Sequence, residues 1–569
     1  MISTILSLAL AVSPTVVYAL PDSAACLKGH GNCVVYPKAA VLPSGRLVVA
    51  FEKSTVPASG SATGQPIPIY TSDDGGATWQ HRSDVKAPKY LSGNCAYARY
   101  SSNWTNPYLY VLPQAVGKLA AGTLLMASVV AGDDAYYTEH KAADPTWTPS
   151  NDGDRRDLAI ALYASSDSGT SWKFVNIITT GGWQGGSAGA IGTNVAAANR
   201  YRQVDPVWEP YLMVYDNQLV AYYSDENDYS GYDAATGALT MAADNATGAD
   251  SHGQILAHRT WNGTSAAWSA PVLDVAGSAT VGDGRPGMAT VVPTSDGKWL
   301  MTYEYWGGGD NVRYKVATDP LRFYAVGGAA GTGVGSLPVT AGSGPLAQGG
   351  SPVLTRLPDG RILYNAAGSG AVWENQSGSS TGAWAQVNTN SPASYSRDLV
   401  YLPKTGRVAV IGGVDTVRYA DVDFGYSAGP YYQLINRRSG KALDVYQQNL
   451  VDGAAVVQWA ANGGANQQWH VTDIGGGYRS LLNRNSGRAL SIWGTSTADG
   501  ANAVQWVENG GGDQAWQLVP DGAYYKLVDR HAGKLLTVAQ GSAADGAQVI
   551  QWPDQNLPEQ QWSLVPVTS

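Results

Sequence analysis

The chain has 569 residues, 36 Lys+Arg against 45 Asp+Glu, and a net charge of −9, with only 14% of residues charged. Hydrophobic residues make up 44%, enough to bury a large core; this argues against disorder, and the absence of basic runs argues against a nucleic-acid partner. Glycine (68 residues) favours turns over long helices, and 19 Trp and 33 Tyr against 4 Phe suit surfaces apolar on one side and wet on the other.

Residues 1–19 read as a secretory leader. Ile2 to Ala19 carries no charge, Ile5 to Val12 is apolar, and Val17-Tyr18-Ala19 offers cleavage after Ala19. No other uncharged run is long enough to span a membrane, so the expectation is a secreted, extracellular protein without a membrane partner. Four Asn-x-Ser/Thr sequons, at Asn103, Asn245, Asn262 and Asn375, fit glycosylation on export. Three cysteines are too few for a disulfide-built scaffold. Cys26 and Cys33 are close enough to pair, Cys95 could take either one, and the odd thiol is expected to be buried. No spacing of Cys and His suggests a metal, and no cofactor is expected.

From 20 to 424 one pattern recurs six times: an apolar run, a tight turn and a second apolar run. The turns hold Ser44-Gly45, Ala121-Gly122, Asp216-Asn217, Asp296-Gly297, Asp359-Gly360 and Thr405-Gly406. Strand, turn, strand is the inner hairpin of a propeller blade, so six copies predict an all-β, six-bladed β-propeller. Ser72-Asp-Asp74-Gly-Gly76-Ala-Thr78-Trp79 and Ser165-Ser-Asp167-Ser-Gly169-Thr-Ser171-Trp172 share one spacing. It resembles the Asp-box of sialidase-like propellers, a turn in which Asp and Ser bond local backbone.

Propeller sites lie at the mouth of the central channel. Two carboxylates there sit among aromatics: Glu209 in Val207-Trp-Glu-Pro-Tyr, and Glu304 in Met301-Thr-Tyr-Glu-Tyr-Trp. Desolvation would perturb both, and a protonated acid beside an ionised carboxylate is what glycoside hydrolysis requires. The bland alternative is a salt bridge to Arg285 or Arg313. Val207-Trp-Glu-Pro, Tyr223-Ser-Asp, His252-Gly-Gln, Arg285-Pro-Gly-Met and Tyr303-Glu-Tyr together resemble the fungal exo-α-1,5-L-arabinanases, glycoside hydrolase family 93. The resemblance implies a retaining enzyme that releases arabinobiose from the non-reducing end of linear arabinan, a plant cell-wall polysaccharide. Its catalytic glutamates would be Glu304 as nucleophile and Glu209 as general acid/base. Arg285, Trp208, Tyr303, Tyr305, Trp306 and His252 are the expected substrate contacts, with His252 and His258 also readable as ordinary strand or loop residues. Alternation aims Tyr303 and Tyr305 away from Glu304 itself. The stretch from 231 to 250 reads as an insertion that would reshape the subsites.

A short polar linker at 425–430 leads to a threefold repeat over 431–569. Gln467-x-Trp469, Gln514-x-Trp516 and Gln560-x-Trp562 recur with a period of about 46 residues. They resemble the ricin-B-type β-trefoil lectins and family 13 carbohydrate-binding modules, in which these tryptophans pack in the core. The resemblance implies one sugar pocket at Asp444, Trp459 and Asn462, because Ser491 and Thr537 replace the aspartate in the other repeats. Competing readings are another propeller glycosidase, such as a sialidase, and a lectin without catalysis. A sialidase should carry an arginine triad, which Arg285 alone does not supply. The expected assembly is a monomer.

Overall fold

A computed structural model describes residues 14–567, apart from 28–32, 58–59, 148–152, 188–201, 248–252, 278–283, 307–309, 329, 423, 425–430, 450, 476 and 507–510. The chain forms six four-stranded antiparallel sheets, then a β-trefoil. Each expected hairpin is the inner pair of one blade, beginning with Val34–Val41 and Leu47–Lys53 in the first and ending with Asp398–Leu402 and Arg407–Gly412 in the sixth. Turn chemistry sets the register: Asp216 and Asn217 both take positive φ, 47° and 58°, a two-residue turn that matches the twist of the strands it joins.

Apolar residues on the two faces of each sheet pack against its neighbours. Six buried clusters result, one at each blade–blade interface, so the ring is closed. The Ser72–Trp79 and Ser165–Trp172 segments turn between the third and fourth strands of blades one and two. Asp74 Oδ1 accepts from the Thr78 N–H at 2.9 Å, and Asp167 Oδ1 from the Ser171 N–H at 2.9 Å.

Closure of the ring uses the start of the chain. Thr15–Ala19 is the outermost strand of blade six, paired with Thr416–Val422. Val17 is buried and Tyr18 stacks on Phe51 with ring centroids 5.2 Å apart. Cleavage after Ala19 would remove this strand and bare the edge of Thr416–Val422. A chain beginning at Leu20 should therefore melt several degrees below one beginning at Thr15 in differential scanning calorimetry.

The inner strands share a second feature. Tyr36, Asn106, Glu209, Met288, Ser351 and Ser396 occupy one position in each blade, and all have positive φ, between 46° and 59°. In the first four blades the inner-strand register shifts at this residue. Proline follows in four of the six (Pro37, Pro107, Pro210, Pro352), where the broken ladder needs no N–H. Such conformations cost about 1–3 kcal/mol each and persist where they aim a side chain. Here they gather six residues around the propeller axis at the starting end of the inner strands.

The trefoil core holds Trp469, Trp516 and Trp562, each fully buried. Their Nε1–H groups donate to the carbonyls of Leu443, Leu490 and Leu536, every bond 3.0 Å, which repeats the threefold relation atom by atom. Arg484 donates to the Lys404 carbonyl at 2.8 Å, and Tyr401 packs on Leu482 and Ala489. Lys404 lies in the blade-six hairpin turn, at the far end of the inner strands from the bulged residues. The trefoil thus docks on the face away from the axial carboxyls. The expected linker 425–430 lies outside the described residues.

The structure changes two expectations, on the sequons and on the odd thiol, and settles the cysteine pairing. Asn103, Asn245 and Asn375 are buried, and their side-chain amides donate to Val85, Asn227 and Ser379; of the four sequons only Asn262 is exposed. Cys26 and Cys33 form a disulfide with a Cα separation of 5.6 Å. Cys95 is a free thiol, exposed rather than buried, because it lies in a one-turn 3₁₀ segment with no buried residue.

Candidate active site

Glu209 leaves the inner strand of blade three, Val207–Tyr215, at its bulge. Oε2 accepts from Ser224 Oγ at 2.7 Å and from the Met288 N–H at 2.9 Å. Glu304 comes from the second strand of blade four, Trp299–Trp306, where it pairs in register with Gly287. Its Oε2 accepts from the Ser351 N–H at 2.7 Å and from the Tyr395 hydroxyl at 3.1 Å. Two glycines make room. A Cβ on Gly287 would stand 2.6 Å from Glu209 Oε2, and one on Gly350 would stand 2.4 Å from Glu304 Oε2.

Electrostatics separates the two acids. Burial raises Glu209, the neighbouring Glu304 charge raises it further, and its pKa reaches about 7 from the ordinary 4.5. Burial also raises Glu304, against the Ser351 N–H, the Tyr395 hydroxyl and the Arg285 charge, which favour its ionised form. Between the two ionisations the pair holds one proton, and burial together with the Glu304 charge favours the protonated form of Glu209. Folding stability follows: the folded state binds more protons than the unfolded chain between pH 4.5 and about 7, so stability falls as pH rises through that window. Glu209→Gln should flatten this slope in melting curves taken from pH 4 to 8.

Arg285 Nη2 donates to Glu226 Oε1 at 2.6 Å and to Gln254 Oε1 at 2.7 Å, and Trp208 Nε1 donates to Glu226 Oε1 at 2.7 Å. Arg285 acts on both glutamates through its charge. Trp208 is half-buried against Trp104, ring centroids 5.7 Å apart. Trp306 is exposed and pairs in register with Arg285. Tyr303 and Tyr305 are not substrate contacts. Alternation turns both into the core between blades three and four, where the Tyr303 hydroxyl bonds the Ala330 carbonyl at 2.7 Å and Arg313 lies 3.8 Å from the Tyr305 ring centroid. His252 lies outside the described residues. His258 is a buried partner of Asp274 at 2.9 Å.

Several residues at the axis escaped the sequence reading. Tyr36, Ser224, Glu226, Ser351 and Tyr395 surround the pair; a third carboxyl, the buried Glu52, accepts from Ser54 Oγ at 2.6 Å and from Thr105 Oγ1. Tyr36, raised by burial and by the charges of Glu209, Glu52 and Glu304, stands near all three. The signal was present as the repeated x-Pro step at the start of the inner strands. Below Glu209 a cavity of about 30 Å³, lined by Tyr36, Lys38, Asn106 and Tyr108, has room for one or two waters. Among the described residues no group of three or more His, Cys, Asp or Glu is placed to hold a metal.

In the trefoil, Asp444 is buried, and its pKa rises to about 6 through desolvation. Its Oδ2 accepts from Asn466 Nδ2 and Gln467 Nε2, both at 2.9 Å. Asn462 is therefore not its partner: the Asn462 side chain caps its own turn, accepting from the Gly464 N–H at 2.8 Å. Trp459 stands 6.0 Å from Tyr446, centroid to centroid. The second repeat also keeps a carboxylate, displaced along the chain. Asp513 accepts from Ser491 Oγ at 2.7 Å, and in the same repeat the exposed Trp493 ring lies 5.8 Å from Trp506.

The fold and its axial carboxyl pair define the class: a six-bladed propeller of the glycosidase type, joined to a lectin-type β-trefoil. The model of the ricin-type β-trefoil lectin domain-like family matches residues 421–506 and 512–569. The propeller is similar to an α-L-arabinanase of Penicillium chrysogenum solved with arabinobiose, at 25% identity and a TM-score of 0.52, over 73% of this chain and 98% of that one. A GH93 α-L-arabinofuranosidase of Fusarium graminearum, also solved with arabinobiose, matches the fold at 24% identity and a TM-score of 0.52, over the same shares. No curated protein matches the chain.

Proposed function

We propose that the protein is a secreted, retaining glycoside hydrolase that cleaves α-1,5-linked L-arabinan from the non-reducing end and releases arabinobiose. The observation that carries this reading is the Glu209–Glu304 pair at the axis, where burial and the Glu304 charge raise the pKa of Glu209, in a propeller similar to an arabinanase solved with arabinobiose. Glu304 attacks the anomeric carbon while Glu209 protonates the leaving oxygen. Glu209, now ionised, then takes a proton from the water that releases the product. The rate should follow a bell in pH, with its basic limb near pH 7, where Glu209 loses its proton.

Product analysis on debranched arabinan, sugar-beet arabinan, xylan and sialyllactose tests the proposal. Arabinobiose as the first product from debranched arabinan, with retained anomeric configuration by NMR, is expected. Release of sialic acid, or no turnover of any polymer, would replace this reading by the sialidase or the lectin. Export belongs to the proposal, with the leader cleaved upstream of Thr15 so that the closing strand stays in the mature chain.

The trefoil serves as the glycan-binding module. Two repeats pair a carboxylate with an aromatic platform, Asp444 with Trp459 and Asp513 with Trp506, so calorimetry should count two sugars per chain. Asp444→Ala should halve that number and the double variant with Asp513→Ala should bring it to zero. Full stoichiometry in the double variant would mean that another surface holds the glycan.

A further inference from the structure

The small cavity beneath Glu209 has a second charged group in its lining, Lys38. Lys38 enters the channel from the inner strand of blade one, just after the bulge at Tyr36. It is buried, and its Nζ donates to the Arg397 carbonyl at 2.8 Å. The ammonium keeps further N–H donors that have no partner among the described residues. The Arg397 guanidinium turns elsewhere, to the Gly370 and Ser391 carbonyls. Two carboxyls act on Lys38 through their charge, Asp398 and Glu209. Asp398 is held by the Ala39 N–H at 2.8 Å and by the Leu399 N–H at 3.1 Å. Of the two carboxyls only Glu209 shares the cavity with Lys38.

Glu209 Oε2 is taken up by Ser224 and the Met288 N–H, whereas Oε1 has no bond to any described residue. A polar space large enough for one or two waters, faced by an ammonium and a carboxyl with bonding capacity left, is a site for a water bridge. We propose that Lys38 is a positioning residue for the general acid/base: across this cavity its ammonium acts on Glu209 and favours the ionised carboxylate. The proposal rests on the glycosidase reading for its chemistry. Glu209 must be an acid in the first step and a base in the second, and burial with the Glu304 charge favours only the acid. Lys38 offsets part of that bias. The other groups around the two do not supply this charge. Tyr36, Tyr108 and Tyr211 on the cavity wall are all raised by burial and stay neutral. Tyr395 is raised likewise and bonds Glu304, and Glu52 acts on Tyr36. Arg285, the other cation acting on Glu209, comes from blade four and is already engaged by Glu226.

The test uses the full chain with Lys38→Met/Asp398→Asn, which removes both charges so that neither is left buried and unpaired. Asp398→Asn, which keeps the ammonium, is the control for disturbed packing. The basic limb of kcat/KM on debranched arabinan, near pH 7 in the unaltered protein, should move up by about one unit in the double variant and should not move up in Asp398→Asn. A second readout needs no substrate. The difference in melting temperature between each protein and its Glu209→Gln counterpart, followed from pH 4 to 9, isolates the titration of Glu209. Raising the folded pKa of Glu209 further lets the loss of stability with rising pH continue to higher pH, by about one unit in the double variant. An unmoved limb and an unmoved melting window in a folded double variant, or the same upward move in Asp398→Asn, would overturn the proposal. If arabinan is not turned over, the glycosidase reading fails, and the melting comparison still decides the role of Lys38.

Discussion

Glu304→Gln should abolish turnover of every substrate, by about 10⁴-fold or more, because an amide oxygen is too weak a nucleophile to form the glycosyl intermediate. Glu209→Gln should behave differently. Its loss should cost about 10²–10⁴-fold on polymer, whose leaving sugar needs the proton, and far less on an aryl arabinoside whose leaving group departs as a stable anion. The assignment follows from the environments: Glu304 accepts from the Ser351 N–H and the Tyr395 hydroxyl, while burial and the charge of Glu304 favour the protonated form of Glu209. Steady-state kinetics on both substrates, with azide rescue of the aryl reaction in Glu209→Gln, separates the roles. Exchanged phenotypes would reverse the two assignments, and near-native activity in both variants would remove the pair from catalysis.

Much of the architecture was legible because it repeats. The six hairpins announced themselves by turn residues at fixed places between apolar runs, and the trefoil by its phased Gln-x-Trp motifs. The glutamates could be found because a carboxylate among tryptophan and tyrosine is rare. Their surroundings could not, since they come from four different blades: Ser224 and Glu226 from the third, Ser351 before the fifth, Tyr395 before the sixth and Tyr36 from the first. Local patterning carries no information on which loops a closed ring brings together. The bulges were written in the x-Pro steps, but each one alone reads as an ordinary strand start. Tyr303 and Tyr305 failed as substrate contacts for the reason alternation had already supplied. Spacing along the chain does not say which of several nearby amides turns toward Asp444; the fold places Asn466 there. In the second repeat the carboxylate moved from the strand to the Asp513 loop, an exchange visible only once Ser491 and Asp513 stand side by side.

Gly350→Ala should be strongly damaging although Gly350 itself carries no catalytic group. The new Cβ would lie 2.4 Å from Glu304 Oε2 and 2.9 Å from its Cδ, so the carboxylate must move by about an ångström. A displacement of that size at a reacting centre costs on the order of 10²-fold in rate. Gly350 also has a φ of 81°, which strains any residue with a side chain, so stability should fall as well. The two effects separate through Gly477→Ala. Gly477 has φ 85° with nothing within 4 Å of its Cβ position, so that variant should lose stability and keep its activity. Gly287→Ala carries the same logic to the other acid, since its Cβ would meet Glu209 Oε2 at 2.6 Å. Displacing the proton donor alone should slow polymer cleavage much more than aryl arabinoside cleavage, whereas Gly350→Ala should slow both alike. Measured kcat values on the two substrates, beside melting curves, decide the matter: if Gly350→Ala loses no more activity than Gly477→Ala, the close approach of backbone to Glu304 does not position it.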